Sequence, residues 1–438
     1  MSASNILSDL MARVGEIGGR ILSTANAHET LPLEDLCNEL LSHRGEATGA
    51  AIGQAIFDRF DALDGDGKHA FFSELHSRFG VDIDAMEKAF VHWHAHKKTN
   101  DARACHFHSE PKSQELLRRL NRVPNGTVRL IEMRNHLLRA IKSSPDLIGL
   151  DDDFRHLLGS WFNRGFLELR RIDWGTSAEV LEKIIAYEAV HEIIGWDDLR
   201  RRVAAPDRRL YAFFHPALLN EPLIFVEVAL SDGIPKAIGP IISASNTAVD
   251  PRLATTAVFY SISNCQKGLR GISFGNFLIK QVVEELRREF ATLETFVTLS
   301  PVPGLRDWAT KAANASGSSL LSEDERLLIA ELNASKTYPL ETHKQGALEC
   351  LTAKYLVQGR SSRGGPADPV ARFHLGNGAC LEQINVAADQ SERSIAGSWG
   401  TMVNYLYDLK NIERNHEIFA NGGDLICSSA VRCAANKD

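Results

Sequence analysis

GLRGISFGNFLIK, residues 268–280, sets three glycines and an arginine between the β-branched, aromatic run TTAVFYSIS (255–263) and an amphipathic run that continues to EELRREF (284–290). A glycine-rich turn from strand to helix is a natural phosphate cradle, because the first-turn N–H groups of the helix have no partner within it. Two common phosphate loops are excluded letter by letter. A Walker loop ends in Gly-Lys-Ser/Thr, which is absent here, and a dinucleotide fingerprint needs a G-x-G pair, whereas Gly268, Gly271 and Gly275 are spaced otherwise.

Beyond the helical run, ETFVTLSP (294–301) reads as a second strand, so strand, loop, helix and strand form a crossover joining near-parallel strands. Upstream, LYAFFHP (210–216) and EPLIFVEVAL (221–230) read as a hairpin. Before RRVAAPDRR (201–209) the texture is helical, as in AIGQAIFDRFDAL (51–63) and EVLEKIIAYEAVHEII (179–194). The expected fold class is α+β: an all-α bundle over 1–205, then a mixed α/β domain over 206–438. Residues 310–360 read as an insertion or flanking helices, GRSSRGGPADP (359–369) as a flexible loop, and the remainder from VARFHLGNGA (370–379) as completing the sheet.

A net charge of -7 gives no basic footprint, which argues against a nucleic-acid partner. Seven scattered cysteines without a C-x-x-C pair suit reduced thiols. No stretch is apolar and long enough to span a bilayer, and Asp9 and Glu16 interrupt any signal-like run at the start, so a cytoplasmic location is expected. In HWHAHKK (92–98), His92 and His96 share a helical face, with Cys105, His106 and His108 not far along the chain. Their spacing fits no closed zinc module, so a polar helix end is expected and no metal site. DALDGDGKH (61–69) departs from a calcium loop at Lys68 and His69 and reads as a turn; His215 reads as the start of a hairpin turn.

The stretch Arg270-Gly271-Ile272-Ser273-Phe274-Gly275 resembles the CoA-pyrophosphate loop of the GNAT superfamily, Q/R-x-x-G-x-G/A, with Ser273 where that motif has its first glycine. Longer stretches then resemble the malonyl-CoA decarboxylase family in order: EPLIFVEVAL, VFYSISNCQKGLRGISFGNFLIKQVVEELRREF, LSPVPG, VARFHLGNGA and INVAAD followed by GSWGTMVNYLY. The resemblance covers most of 205–410 and is weaker before it. It implies a helical oligomerisation domain, hence a homo-oligomer, and a GNAT-type catalytic domain that converts malonyl-CoA to acetyl-CoA and CO2 with no added cofactor. Arg270, Gly271, Ile272, Ser273, Phe274, Gly275 and Asn276 are then the CoA-binding residues.

Three further residues follow from the resemblance as catalytic: Ser300, His374 and Tyr407. Ser300 ends a strand directly before Pro301, which biases it to extended backbone. An imidazole such as that of His374 can donate a hydrogen bond when neutral and a proton when charged. The expected division of labour has His374 polarise the thioester oxygen and protonate C2 while Ser300 aligns the departing carboxylate. Some members of the family have glutamate where Ser273 stands, so the role of that carboxylate is expected to be dispensable here or supplied elsewhere. The competing readings are an acyl-CoA-dependent acyltransferase of the GNAT type and a non-catalytic acyl-CoA-binding protein.

Overall fold

A computed structural model describes residues 31–42, 45–243, 248–272, 277–315, 321–334, 341–361 and 364–437. The chain forms two compact units. The first takes the described residues up to Glu168 and adds those of two returning pieces, Phe214–Glu221 and Gln266–Phe274; the second takes the other described residues. The division falls earlier than the boundary expected near residue 205, because the strand β1 (Glu168–Ile172) lies beside β2 (Arg208–Phe214) in the sheet of the second unit.

The described helices of the first unit are α1 (Leu33–Leu41), α2 (Glu46–Ala62), α3 (Gly65–Arg78), α4 (Ile83–His96), α5 (Thr99–His108), α6 (Lys112–Asn121), α7 (Gly126–Ala140) and α8 (Ile148–Trp161). Apolar residues three and four apart turn one stripe of most helices inward; Leu116, Leu117 and Leu120 of α6 and the Phe60, Phe71 and Phe72 rings of α2 and α3 fill this core. DALDGDGKH is a helix start rather than a turn alone: the Asp64 carboxylate accepts from the Gly67 N–H and caps α3. His215 is structural, its Nδ1 accepting from the Ala217 N–H and its ring lying against Phe162.

Arg134 on α7 is 1% exposed. Its guanidinium pairs with Asp151 of α8 at 2.8 Å and donates to the carbonyls of Gly268, at 2.6 Å, and Arg270, at 2.9 Å. The segment leading into the glycine loop is thus fixed by a buried cation that makes four hydrogen bonds. Gly268 is required by close approach: a Cβ there would lie 1.9 Å from the Ile131 carbonyl oxygen.

The second unit carries a sheet in the order β1-β2-β3-β4-β5-β8-β6, with β7 (Cys380–Asn385) also paired to β8 (Met402–Leu406). Its strands β3 (Pro222–Ser231) and β4 (Thr256–Asn264) are antiparallel, and their near-continuous apolar runs are buried on both faces. The crossover is present: α12 (Phe277–Glu289) joins β4 to β5 (Thr295–Thr298), and β4 pairs β5 in parallel. After β6 (Ser300–Pro301) come α13 (Leu305–Asn314), α14 (Glu323–Ala334) and α15 (Thr342–Gln358), the flanking helices expected from the sequence.

Two expectations are corrected. The helix expected over 179–194 is α9 (Ala178–Tyr187) and stops there, because the Glu188 carboxylate takes the N–H groups of Val190 and His191, which a continuing helix would bond to its own carbonyls. A second helix, α10 (Gly195–Ala204), follows, and its Arg202 pairs with Asp198 and with the buried Glu227 of β3. Downstream, VARFHLGNGA opens as the helix α16 (Pro369–Gly376), not as sheet, and the sheet resumes at Cys380. The described residues of the loop before α16 are tied back on themselves through the Ala367 N–H to Gly359 and the Ser361 N–H to Gly365.

Replacing Arg134 with Met leaves Asp151 as an uncompensated, largely buried charge. Urea unfolding of Arg134→Met is expected to show a loss of about 3–5 kcal/mol, with the same slope against denaturant as the wild type.

Candidate active site

The site begins where β4 and β5 part. They pair from Thr256 with Thr295 to Phe259 with Thr298, and the Leu299 N–H makes a last rung to the Phe259 carbonyl. Beyond it the chain turns wholly to β8: Ser300 faces Val403 and Pro301 faces Met402 in the same antiparallel register as Val297 with Leu406. Thr298 makes this transfer. Its Oγ1 accepts from the Tyr405 N–H at 3.1 Å, and its carbonyl accepts from the Asn404 amide at 2.8 Å.

The wedge left beside β4 is a cavity of about 240 Å³ lined by Phe259, Tyr260 and Ile262 on one side and by Ser300 and Pro301 on the other. Helix α16 closes it with Phe373 and His374. The Glu188 carboxylate, which also accepts from the Ser261 and Ser263 hydroxyls, holds Val190 at its rim. A larger hollow of about 340 Å³ beside Arg171 and Glu289 contains no comparable set of groups.

Asp368 fixes α16. Its carboxylate accepts from the Val370 and Ala371 N–H groups at 2.9 and 2.8 Å, and Pro369 occupies the first helical position, where its missing N–H costs nothing. The Tyr355 hydroxyl lies 3.4 Å from the other oxygen, and burial pushes this carboxyl up to about 6. One turn further on, the inward face of the helix carries Ala371, His374 and Leu375.

All three residues expected to be catalytic meet here. His374 Nε2 is 3.1 Å from Ser300 Oγ, and Nδ1 is 2.8 Å from the Tyr407 hydroxyl. The Ser300 hydroxyl donates to Thr298 Oγ1 at 2.9 Å, and the imidazole stacks on Tyr405 at 4.6 Å. Tyr407 is buried and this contact is its hydroxyl's hydrogen bond among the described residues, so the phenol satisfies its proton best by donating it to Nδ1. That places the imidazole proton on Nε2, directed at Ser300. Burial drops the His374 pKa to about 3 with no opposing charge nearby, so the ring is neutral at neutral pH.

Of the expected CoA-binding residues, Ser273, Phe274, Gly275 and Asn276 lie outside the described residues. Arg270 and Gly271 are exposed, Ile272 is buried, and Gly271 has φ of +78°, a conformation glycine adopts without steric cost. Thr298 and Asp368 were missed in the sequence. Thr298 shares a strand face with Ser300 by its spacing of two, and the Asp-Pro pair at 368–369 is a helix-start signal inside what reads as a loop.

Two family models account for most of the chain: the malonyl-CoA decarboxylase C-terminal domain matches residues 165–438 and the N-terminal domain residues 79–162. The chain belongs to the malonyl-CoA decarboxylase family. The mitochondrial malonyl-CoA decarboxylase of Anser anser anser is 37% identical over 354 residues, 74% of this chain and 69% of that protein. The rat enzyme, also named mitochondrial, is 37% identical over 349 residues, 73% of this chain and 70% of its own. The crystal structure of malonyl-CoA decarboxylase from Rhodopseudomonas palustris superposes with a TM-score of 0.88 at 47% identity, covering 92% of this chain and 98% of that one. That from Agrobacterium vitis gives 0.86 at 49%, covering 92% and 100%.

The buried neutral His374 and the raised Asp368 carry opposite pH signatures. Between about pH 6.5 and 3 the unfolded histidine binds a proton that the native ring does not, so acidification through this window destabilises the fold. Asp368 binds a proton in the native state between about pH 6 and 3.8 that the unfolded chain lacks, which stabilises over that narrower window. From pH 7 to 4.5, His374→Gln is expected to lose roughly 2 kcal/mol less stability than the wild type, as measured by denaturant unfolding at each pH.

Proposed function

We propose that this chain decarboxylates malonyl-CoA to acetyl-CoA and CO2, and that Ser300, His374 and Tyr407 carry the reaction. The observation that carries the reading is the Ser300–His374–Tyr407 chain of hydrogen bonds at the closed end of the wedge between β4 and β5. Beyond Phe259 the edge of β4 turned toward β5 has no ladder partner among the described residues, which suits an extended pantetheine arm with its two amides. We assign the CoA pyrophosphate to Arg270–Asn276, on the strength of the motif and the open left-handed turn at Gly271.

Loss of CO2 sends the C–C bonding pair into the thioester, giving an enolate. The thioester itself accepts these electrons, so the step needs no redox group and no metal. Ser300 holds the carboxylate out of the thioester plane, so that the breaking bond overlaps the carbonyl system. With substrate bound, the Nε2 proton of His374, which otherwise meets Ser300 Oγ, turns to the thioester oxygen, where negative charge grows. Only desolvation depresses the pKa of His374, and an anionic substrate entering beside it favours the charged ring. The proton that C2 must gain therefore arrives on Nδ1 together with the substrate's charge, the Tyr407 hydroxyl turning from donor to acceptor, and transfer of the Nε2 proton to C2 restores a neutral ring.

Incubation with malonyl-CoA, without added metal or nucleotide, followed by mass spectrometry of acetyl-CoA, tests this. Ser300→Ala is expected to lower kcat by about 10²–10³ and His374→Ala by at least about 10², with CoA binding retained. Tyr407→Phe removes the donor that sets the tautomer and is expected to fall between these variants and the wild type. Absence of turnover by the wild type would overturn the assignment, and full turnover by Ser300→Ala would overturn the role of that residue.

We further infer self-association through the helical unit, supported by the exposed Ile83, Phe90, Val91 and Phe107 of α4 and α5. Sedimentation at micromolar concentration is expected to show an oligomer, and a monomer would overturn this. No described helix is long and apolar enough to cross a membrane. Seven scattered cysteines without a C-x-x-C pair favour a reducing compartment, which the cytoplasm and the mitochondrial matrix both provide.

A further inference from the structure

Neither α4 nor α5 buries a single side chain, yet the two lie against each other as a hairpin. Lys97, in the left-handed conformation at φ of 53°, ends α4, and Lys98 caps α5, so the chain reverses within two residues. That reversal brings the first turn of α5 back beside the last turn of α4. Asp101 thereby reaches a histidine pair that the sequence alone showed only as two residues one turn apart.

The three side chains form a ligand set. His92 and His96 have ring centroids 4.4 Å apart, and Asp101 Oδ1 is 3.6 Å from His92 Nε2. One donor atom from each residue lies within 4.8 Å of the other two. Two further observations point to a ligand. His96 Nδ1 is 2.8 Å from the His92 carbonyl, which places the proton on Nδ1 and leaves the Nε2 lone pair free, the backbone-anchored tautomer that metal-bound histidines commonly show. Among the described residues, Asp101 Oδ2 is buried without a hydrogen-bond partner, a cost that a bound cation would relieve.

We propose that His92, His96 and Asp101 bind a divalent transition-metal ion of the zinc type, which joins α4 to α5. Two imidazoles and a carboxylate suit zinc better than the all-oxygen cations magnesium and calcium. Bonds of about 2.0–2.2 Å at a tetrahedral centre place ligand atoms about 3.4 Å apart, close to the present His92–Asp101 separation, and side-chain rotation closes the rest. The fourth position faces water. The ion takes no part in the decarboxylation, and it substitutes for the hydrophobic core that this hairpin lacks.

Tag-free full-length protein, stripped with chelator and dialysed, is titrated with zinc chloride by calorimetry and with cobalt chloride by visible absorption. One ion is expected to bind per chain, with affinity reduced at least about tenfold in each of His92→Ala, His96→Ala and Asp101→Asn. Zinc should also slow tryptic cleavage after Lys97 and Lys98 in the wild type and leave the three variants unprotected. Circular dichroism checks that each variant is folded, with His96→Gln replacing any that is not. Failure of the wild type to take up a stoichiometric ion, or uptake and protection unchanged across the variants, would overturn the site.

Discussion

The separation of β4 from β5 is the constraint on which the active site depends. A parallel pair of strands closes its own ladder and leaves no room for a substrate between them. Here the ladder stops at Leu299, because Thr298 gives both its hydroxyl oxygen and its carbonyl to β8, and Pro301 has no N–H with which to continue. The opening therefore costs few unpaired groups on the β5 side, and the first residue past the split is Ser300. Ser300 and the cavity it lines beside β4 arise from one event in the sheet.

Helix α16 then sets the electrostatics. Its start is fixed by Asp368 and Pro369, and its inward face delivers an imidazole into a site bounded by Tyr405, Tyr407 and Phe373. Burial in that shell keeps the ring neutral at neutral pH.

Much of the second unit could be read from the sequence, because local signals there agree with the tertiary result. The β-branched run, glycine turn, amphipathic run and second β-run follow one another as strand, helix and strand, and Ser300 stands where Ser-Pro ends the last of them. Signals failed where a side chain overrode the pattern. The apolar spacing of 179–194 continues past Tyr187, but Glu188 captures the backbone amides that the helix needed. The 359–369 segment is rich in glycine and proline and reads as loose, although Asp368 within it anchors α16, which carries His374. Long-range pairings such as Arg134 with the Gly268 carbonyl leave no periodic trace, so neither that clamp nor the nearness of Asp101 to His92 was visible in one dimension.

The two units are not two beads on a string. The chain changes unit at residues 168, 213, 221, 265 and 274, and the first unit is assembled from three separate pieces. A gene cut after Glu168 would encode helices missing two of their partners, among them the segment whose carbonyls occupy the Arg134 guanidinium. Such a protein does not lend itself to shuffling: recombination that exchanged the helical half for that of a distant relative would also have to exchange the eight residues Phe214–Glu221 and the nine residues Gln266–Phe274 from inside the other half. The architecture therefore favours inheritance of both halves as one unit.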